Sequence, residues 1–183
     1  MLYLALLHYP VYSKEGRIIT TAIANMDLHD IARACLTYDV ATFYIVNPLS
    51  AQRDLATQIM KHWREGYGAN FNPARKAAFE RVRIKEKLDD VLAEIHEQTG
   101  LSAQTIVTGA GLKGGLLTFA EFKELLKKEE LPYLLIFGTG SGIAEDLVQK
   151  ADFRLEPIKG VRDYNHLAVR SAAAIILDRV AGN

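Results

Sequence analysis

The sequence has a single cysteine, Cys35, among 183 residues. That excludes an intramolecular disulfide framework and a cysteine-rich zinc site, and it fits a reducing compartment. Proline is scarce, at five residues, and no stretch is rich in Pro, Ser or repeated residues. A linker, an internal repeat and collagen-like or low-complexity chain are therefore absent. No charge of one sign prevails: 22 Lys and Arg balance 22 Asp and Glu, for a formal net charge of +0. A polycation that grips nucleic acid by bulk charge is disfavoured, although a local basic patch survives that test. The opening apolar run, Met1–Leu7, has no basic residue before it and passes straight into His8-Tyr9-Pro10. A secretory signal needs a charged start and a small-residue cleavage site, and a membrane span needs about 20 apolar residues. The expectation is a cytoplasmic protein with no membrane partner.

What is present is a globular composition, with 49% hydrophobic and 24% charged residues, at a length suited to one domain. Apolar strand-like runs recur at residues 2–9, 42–46, 105–107, 133–137 and 153–155, and residues 81–85 alternate like a half-exposed strand. Helical spacing separates them, through Leu28, Ile31, Ala32 and Leu36, through Leu55, Ile59 and Met60, and through Leu88, Val91, Leu92 and Ile95. Asn25 or Asp27 is expected to cap the first helix and Ser50 the second, and residues 66–73 read as a loop. A long final helix is expected from about Asn165 to Val180. Strands that alternate with helices and show little period-2 patterning predict a mainly parallel sheet with helices on both faces, over one domain spanning 1–183.

In such a sheet, ligands bind outside the carboxyl ends of the strands. Three late loops fall there. Gly109-Ala110-Gly111-Leu112-Lys113-Gly114 has the G-x-G-x-x-G spacing of a dinucleotide site. That motif normally occupies the first strand–loop–helix unit, with a carboxylate ending the next strand to hold a ribose. Here the next strand ends Phe137-Gly138-Thr139-Gly140, so an NAD(P)-binding oxidoreductase stays a lesser alternative. The Gly138–Gly142 loop lacks the Gly-Lys-Ser/Thr of a phosphate loop and the glycines that flank a nucleophilic serine. Its glycines either expose backbone to a ligand or only make tight turns. The third loop, Pro157–Ser171, is dense in hydrogen-bonding side chains and enters a small-residue helix at Ser171-Ala172-Ala173-Ala174.

The segments "YLLIFGTGSGIAEDLV", "FRLEPIKGVRDYNHLAVRSAAAIILDRV" and "ANMDLHDIARACLTYDVATFYIVNP" together resemble the SPOUT class of RNA methyltransferases. Within that class the chain is most similar to a bacterial family related to tRNA (guanine-N1-)-methyltransferase. The resemblance implies a C-terminal trefoil knot, S-adenosylmethionine as cofactor, structured RNA (tRNA or rRNA) as substrate and a homodimer, with no metal. It implies cofactor contacts at Thr108 and Gly109, at Gly138, Thr139 and Gly140, and at Ile158, Gly160, Asn165 and Leu167. It also implies roles for Arg33, Arg162 and Asp163 in catalysis or acceptor positioning. Asp27 stands where ribose-methylating members carry Asn, which favours methylation of a base over a ribose 2′-hydroxyl. As a plain alternative, Arg33 is a helix-surface charge paired with Asp27 or Asp30. A run of Arg75, Lys76, Arg81, Arg83, Lys85 and Lys87 is either an RNA-facing patch or a solvated face offset by neighbouring carboxylates. The five histidines show no paired metal spacing and read as capping or surface residues. A non-catalytic adenosyl-ligand or RNA-binding module of the same fold remains the other alternative.

Overall fold

The computed structural model describes residues 1–162 and 164–183. The chain runs β1 (Leu2–Leu7), β2 (Val11–Tyr12), β3 (Ile18–Ile19), α1 (Asn25–Thr37), β4 (Phe43–Val46) and α2 (Ser50–Arg64). It continues through α3 (Tyr67–Phe71), α4 (Pro73–Glu80), β5 (Val82–Lys85), α5 (Leu88–Thr99), β6 (Gln104–Val107) and β7 (Leu116–Leu117). The last elements are α6 (Phe119–Lys127), β8 (Tyr133–Gly138), α7 (Glu145–Lys150), β9 (Phe153–Leu155) and α8 (Val169–Ala181).

Among the described residues, seven strands form one sheet in the order β5-β4-β1-β8-β6-β9-β7, and every pairing within it is parallel. All six residues of β1 are buried, as an interior strand covered on both faces requires. Leu2, Leu4 and Leu6 pack on one side with apolar residues of α1, α2, α4, α6 and α8. Tyr3, Ala5 and Leu7 pack on the other with residues of α5 and α7. This explains why the strands read as continuous apolar runs: each successive side chain meets a different helical layer.

The chain starts at β1, moves to β4 and β5 on one side, then returns to build β6, β8 and β9 on the other. The order therefore reverses between β1 and β8, the place where ligands of open α/β sheets bind outside the carboxyl ends of the strands. Register places Leu7 beside both Val46 and Gly138, so the residues after β1, β4 and β8 emerge side by side. Val107 pairs with Ile136 and Arg154, which brings the ends of β6 and β9 into the same row.

Several boundaries depart from the expectations. α1 is capped by Ala24 and α2 by Leu49, neither through a side chain, so Asn25 and Ser50 lie inside their helices rather than at the caps. Residues 67–71 and 73–80 are helical. There Asn72 accepts from the Arg75 N–H, and Pro73 occupies a first-turn position, where its missing N–H costs nothing. α8 begins at Val169, four residues beyond Asn165. Gly100, at φ +72°, closes α5 in the left-handed conformation that glycine favours.

Candidate functional site at the carboxyl edge

At the end of β1, the His8 backbone N–H donates to Val46 O at 3.0 Å. Its ring Nδ1 also lies 3.1 Å from that carbonyl. A carbonyl only accepts, so Nδ1 carries the proton and Nε2 presents a lone pair. His8 is fully buried, and Nε2 has no hydrogen-bond partner among the described residues. Burial pushes the imidazole below its ordinary pKa, outweighing the opposing bond to Val46. Its neighbours along the chain carry no sign of this: a lone histidine before Tyr-Pro reads as a capping or surface residue, and only the three-strand convergence buries it.

Around His8 the loops are tied by hydrogen bonds. Thr21 N–H donates to His8 O at 2.9 Å, and Asn47 Nδ2 donates to Thr21 O at 3.1 Å. Thr139 donates to Leu7 O through both its backbone N–H, at 3.1 Å, and its hydroxyl, at 3.0 Å. Because that hydroxyl proton is committed, the short contact between Thr21 Oγ1 and Thr139 Oγ1 has Thr21 as donor. Ser141 N–H donates to Tyr12 O at 2.8 Å, and Tyr12 N–H donates to Gly142 O at 2.8 Å. The Gly138–Gly142 loop is thus clamped to the segment that follows β1.

The glycines in it are demanded locally. A Cβ on Gly138 would lie 2.5 Å from Ile143 Cγ1 and 3.1 Å from its backbone N. Gly140 has φ +61°, and a Cβ there would lie 2.6 Å from the Tyr12 carbonyl oxygen. The turn-forming role is real at both positions, whatever ligand the loop also meets.

The other two loops leave neighbouring strands at the same edge. Thr108 is buried, and both its N–H and its hydroxyl donate to Ile136 O at 3.0 Å. Gly109 follows, its missing Cβ facing only the flexible side chain of Leu112. The glycine run does not open a helix as a dinucleotide motif must. Gly114 and Gly115, both at positive φ, lead into β7, and α6 starts only at Phe119 behind a Thr118–Glu121 capping box. After β9, Ile158 packs against the layer of α1 and α8, while Gly160, Arg162 and Leu167 are exposed and Asn165 is half-buried. A Cβ on Gly160 would lie 2.8 Å from Tyr164 O, so this loop folds tightly on itself. Asp163 lies outside the described residues.

The structure brings together Thr108, Gly109, Gly138, Thr139 and Gly140 and the start of the 156–168 loop. It separates Arg33 from its expected carboxylates. Asp27 and Asp30 instead face Arg170 of α8, with Nη1 at 3.2 Å from Asp27 Oδ1 and Nε at 3.6 Å from Asp30 Oδ2. Arg170 thereby fastens α8 to α1. Arg33 is exposed, and with Arg75 it acts electrostatically on His29.

Two surface cavities lie elsewhere. One, of about 410 Å³, is lined by Arg53, Lys85, Glu86 and Glu94, and the other, of about 790 Å³, by Met1, Tyr38, Lys123 and Asn183. Neither includes the glycine loops. At the carboxyl edge the glycine-loop backbone lies beside Thr108 and Thr139, whose hydroxyl protons are donated to the Ile136 and Leu7 carbonyls.

A parallel α/β sheet with glycine and threonine loops gathered at its order-reversal point belongs to the architecture whose ligands bind outside the carboxyl ends of the strands. The sequence model of a family of SAM-dependent RNA methyltransferases matches residues 1–182, and the chain belongs to that family. It is an S-adenosylmethionine-dependent methyltransferase. The chain is 39% identical over 178 residues to an uncharacterized protein of Aquifex aeolicus, covering 97% of this chain and 87% of that one. It is 42% identical over 184 residues to a tRNA (guanine-N(1)-)-methyltransferase of Nitratidesulfovibrio vulgaris, covering 100% of this chain but 42% of the relative's length. In fold it is similar to the SpoU methyltransferase AviRb of Streptomyces viridochromogenes, solved with AdoMet, at a TM-score of 0.59 and 11% identity over 99% of this chain and 56% of that one.

Proposed function

We propose that this chain transfers the methyl group of S-adenosylmethionine to a base of structured RNA, tRNA or rRNA, as a cytoplasmic homodimer. The observation that carries the reading is the gathering of three loops, after β6, β8 and β9, at one sheet edge in a chain of this family. Thr108, Gly109, Gly138, Thr139, Gly140, Ile158, Gly160, Asn165 and Leu167 hold the cofactor in this reading. The cofactor supplies an activated sulfonium methyl, so the protein's task is alignment of the acceptor and removal of its proton. Arg162 and Asp163 are the candidates for acceptor positioning and proton removal, and Arg33 for contact with RNA.

A trefoil knot is part of the same reading. β9 lies between β6 and β7, so the 108–115 segment spans the exit of β9, and the chain leaving that strand has an arch to pass. A homodimer is supported by the exposed apolar side chains of the third loop, Val161, Tyr164 and Leu167. A tRNA substrate draws support from the Nitratidesulfovibrio relative, whose name covers a protein more than twice as long as the matched segment. Base over ribose draws support from Asp27, which is held by Arg170 and stands where ribose-methylating members carry Asn. No helix among the described residues is long and apolar enough to cross a membrane, in keeping with work on soluble RNA.

The test is tritiated methyl transfer to separate bulk tRNA and rRNA fractions from cells lacking this protein, followed by nuclease digestion and nucleoside chromatography. The expected label co-migrates with a methylated base. Label in 2′-O-methylnucleosides would overturn the base assignment, and no label in either RNA would overturn the substrate assignment.

A further inference from the structure

Two aromatic rings stand in solvent on α3. Tyr67 is 75% exposed and Phe71 71% exposed, far above what large apolar side chains usually show. They sit one helical turn apart with ring centroids 5.8 Å apart and planes 21° from parallel, forming a stacked pair open to solvent. The pair is held in place from beneath. A Cβ on Gly68 would lie 2.6 Å from Trp63 Cε3 and 2.9 Å from His62 Nε2, so α3 presses directly on the end of α2.

The surroundings are cationic. Residues 61–76 contain Lys61, Arg64, Arg75 and Lys76 against one carboxylate, Glu65. Arg64 is committed to the carbonyls of Phe79 and Val82. Arg75 is not committed in that way. Its guanidinium lies 4.4 Å from the centroid of the Trp63 ring, its Nε is buried without a hydrogen-bond partner, and no carboxylate pairs with it among the described residues. A guanidinium seated on an indole, with no carboxylate paired to it among the described residues, is set to take an external anion at its terminal nitrogens.

We infer that Tyr67 and Phe71 form a stacking platform for an unpaired base of the RNA substrate, with Arg75 and Lys61 on the adjoining phosphates. Base–aromatic stacking beside a basic track is how proteins seize single-stranded segments, and every base has a face to stack. Charge complementarity selects this occupant over an uncharged protein surface. The inference rests on the RNA-acting reading above and names how that substrate is held.

The test is fluorescence anisotropy with a fluorescein-labelled 15-nucleotide single-stranded RNA of mixed sequence, and the same RNA annealed as a blunt duplex. The Tyr67→Ala/Phe71→Ala double variant should lose about 5- to 150-fold in single-strand affinity, the range for one stacked base. Its duplex affinity should change less than about twofold, because paired bases are not offered to the rings. Tyr67→Phe/Phe71→Tyr should restore binding, and Arg75→Ala should lower the slope of log affinity against log salt by about 1. S-adenosylhomocysteine binding, read by calorimetry, should be unchanged in all of them. A double alanine variant that binds the single strand as tightly as the native chain would overturn the platform while leaving the RNA reading intact. Equal loss on single strand and duplex would also overturn it. So would a sedimentation shift from dimer to monomer in that variant, which would make the pair a contact between copies. A native chain that binds neither RNA would overturn the RNA reading itself.

Discussion

Gly140→Ala separates the two demands that the structure places on the β8 loop. At φ +61° an L-residue costs about 1 kcal/mol relative to glycine. The added Cβ would also lie 2.6 Å from the Tyr12 carbonyl oxygen, a backbone atom that cannot swing aside. Relief of that contact must stretch the 2.8 Å bond from Ser141 N–H to Tyr12 O, whose loss adds roughly 1–2 kcal/mol. The expected total is about 2–3 kcal/mol. For a chain of this length, each kcal/mol lowers the melting temperature by roughly 2–4 °C, so the fall should be about 4–12 °C. Gly100→Ala is the control: at φ +72° its new Cβ meets nothing within 4 Å, and only the conformational cost of about 1 kcal/mol applies. Urea unfolding of both variants, monitored by circular dichroism, compares them directly. If Gly140→Ala is no less stable than Gly100→Ala, the clamp between the glycine loop and Tyr12 is not a structural constraint and the reasoning fails.

Asp27→Asn should remove the Arg170 ion pair and cost about 1–2 kcal/mol, since the aspartate is mostly buried while the arginine is a third exposed. A double-mutant cycle with Arg170→Ala checks it, because strictly additive costs would show that the pair does not couple α1 to α8. His8 and His29 are both held below their ordinary pKa by burial, so the unfolded chain takes up protons that the folded chain refuses. Stability should therefore fall as pH drops below about 6.5, and His8→Gln should flatten that slope; urea midpoints between pH 5.5 and 7.5 give the answer. Burial pushes the Cys35 thiol up, so the sole cysteine should resist a thiol-reactive dye in the folded chain and react once per chain in urea. Reaction at the same rate with and without urea would contradict its burial.

The parallel layers were legible because burial on both faces leaves a mark: runs such as Tyr133–Phe137 cannot alternate. The carboxyl-edge loops were legible through their glycines, and Gly138 and Gly140 do sit where only glycine fits. The two-residue strands β2, β3 and β7 escaped notice because two residues carry no period. Gly66, Gly68 and Asn70 signalled a loop over 66–73, yet a helix forms there: Gly68 is glycine because Trp63 and His62 crowd it, not because the chain turns. Long-range partners left no trace either. Nothing near Arg170 points to Asp27, 143 residues away, and nothing around His8 reveals that three strand ends enclose it. The apparent pairing of Arg33 with Asp30 followed helical spacing alone, and Arg170 occupied those carboxylates first.

In the proposed function the cofactor lies on the loops after β6, β8 and β9. Amide hydrogen exchange with and without saturating S-adenosylhomocysteine tests it most directly, segment by segment. Added protection is expected at 108–115, 138–142 and 156–167, with the exposed Tyr67–Phe71 segment unchanged. Protection at the cavity beside Arg53 and Glu94 with none at those three loops would contradict it.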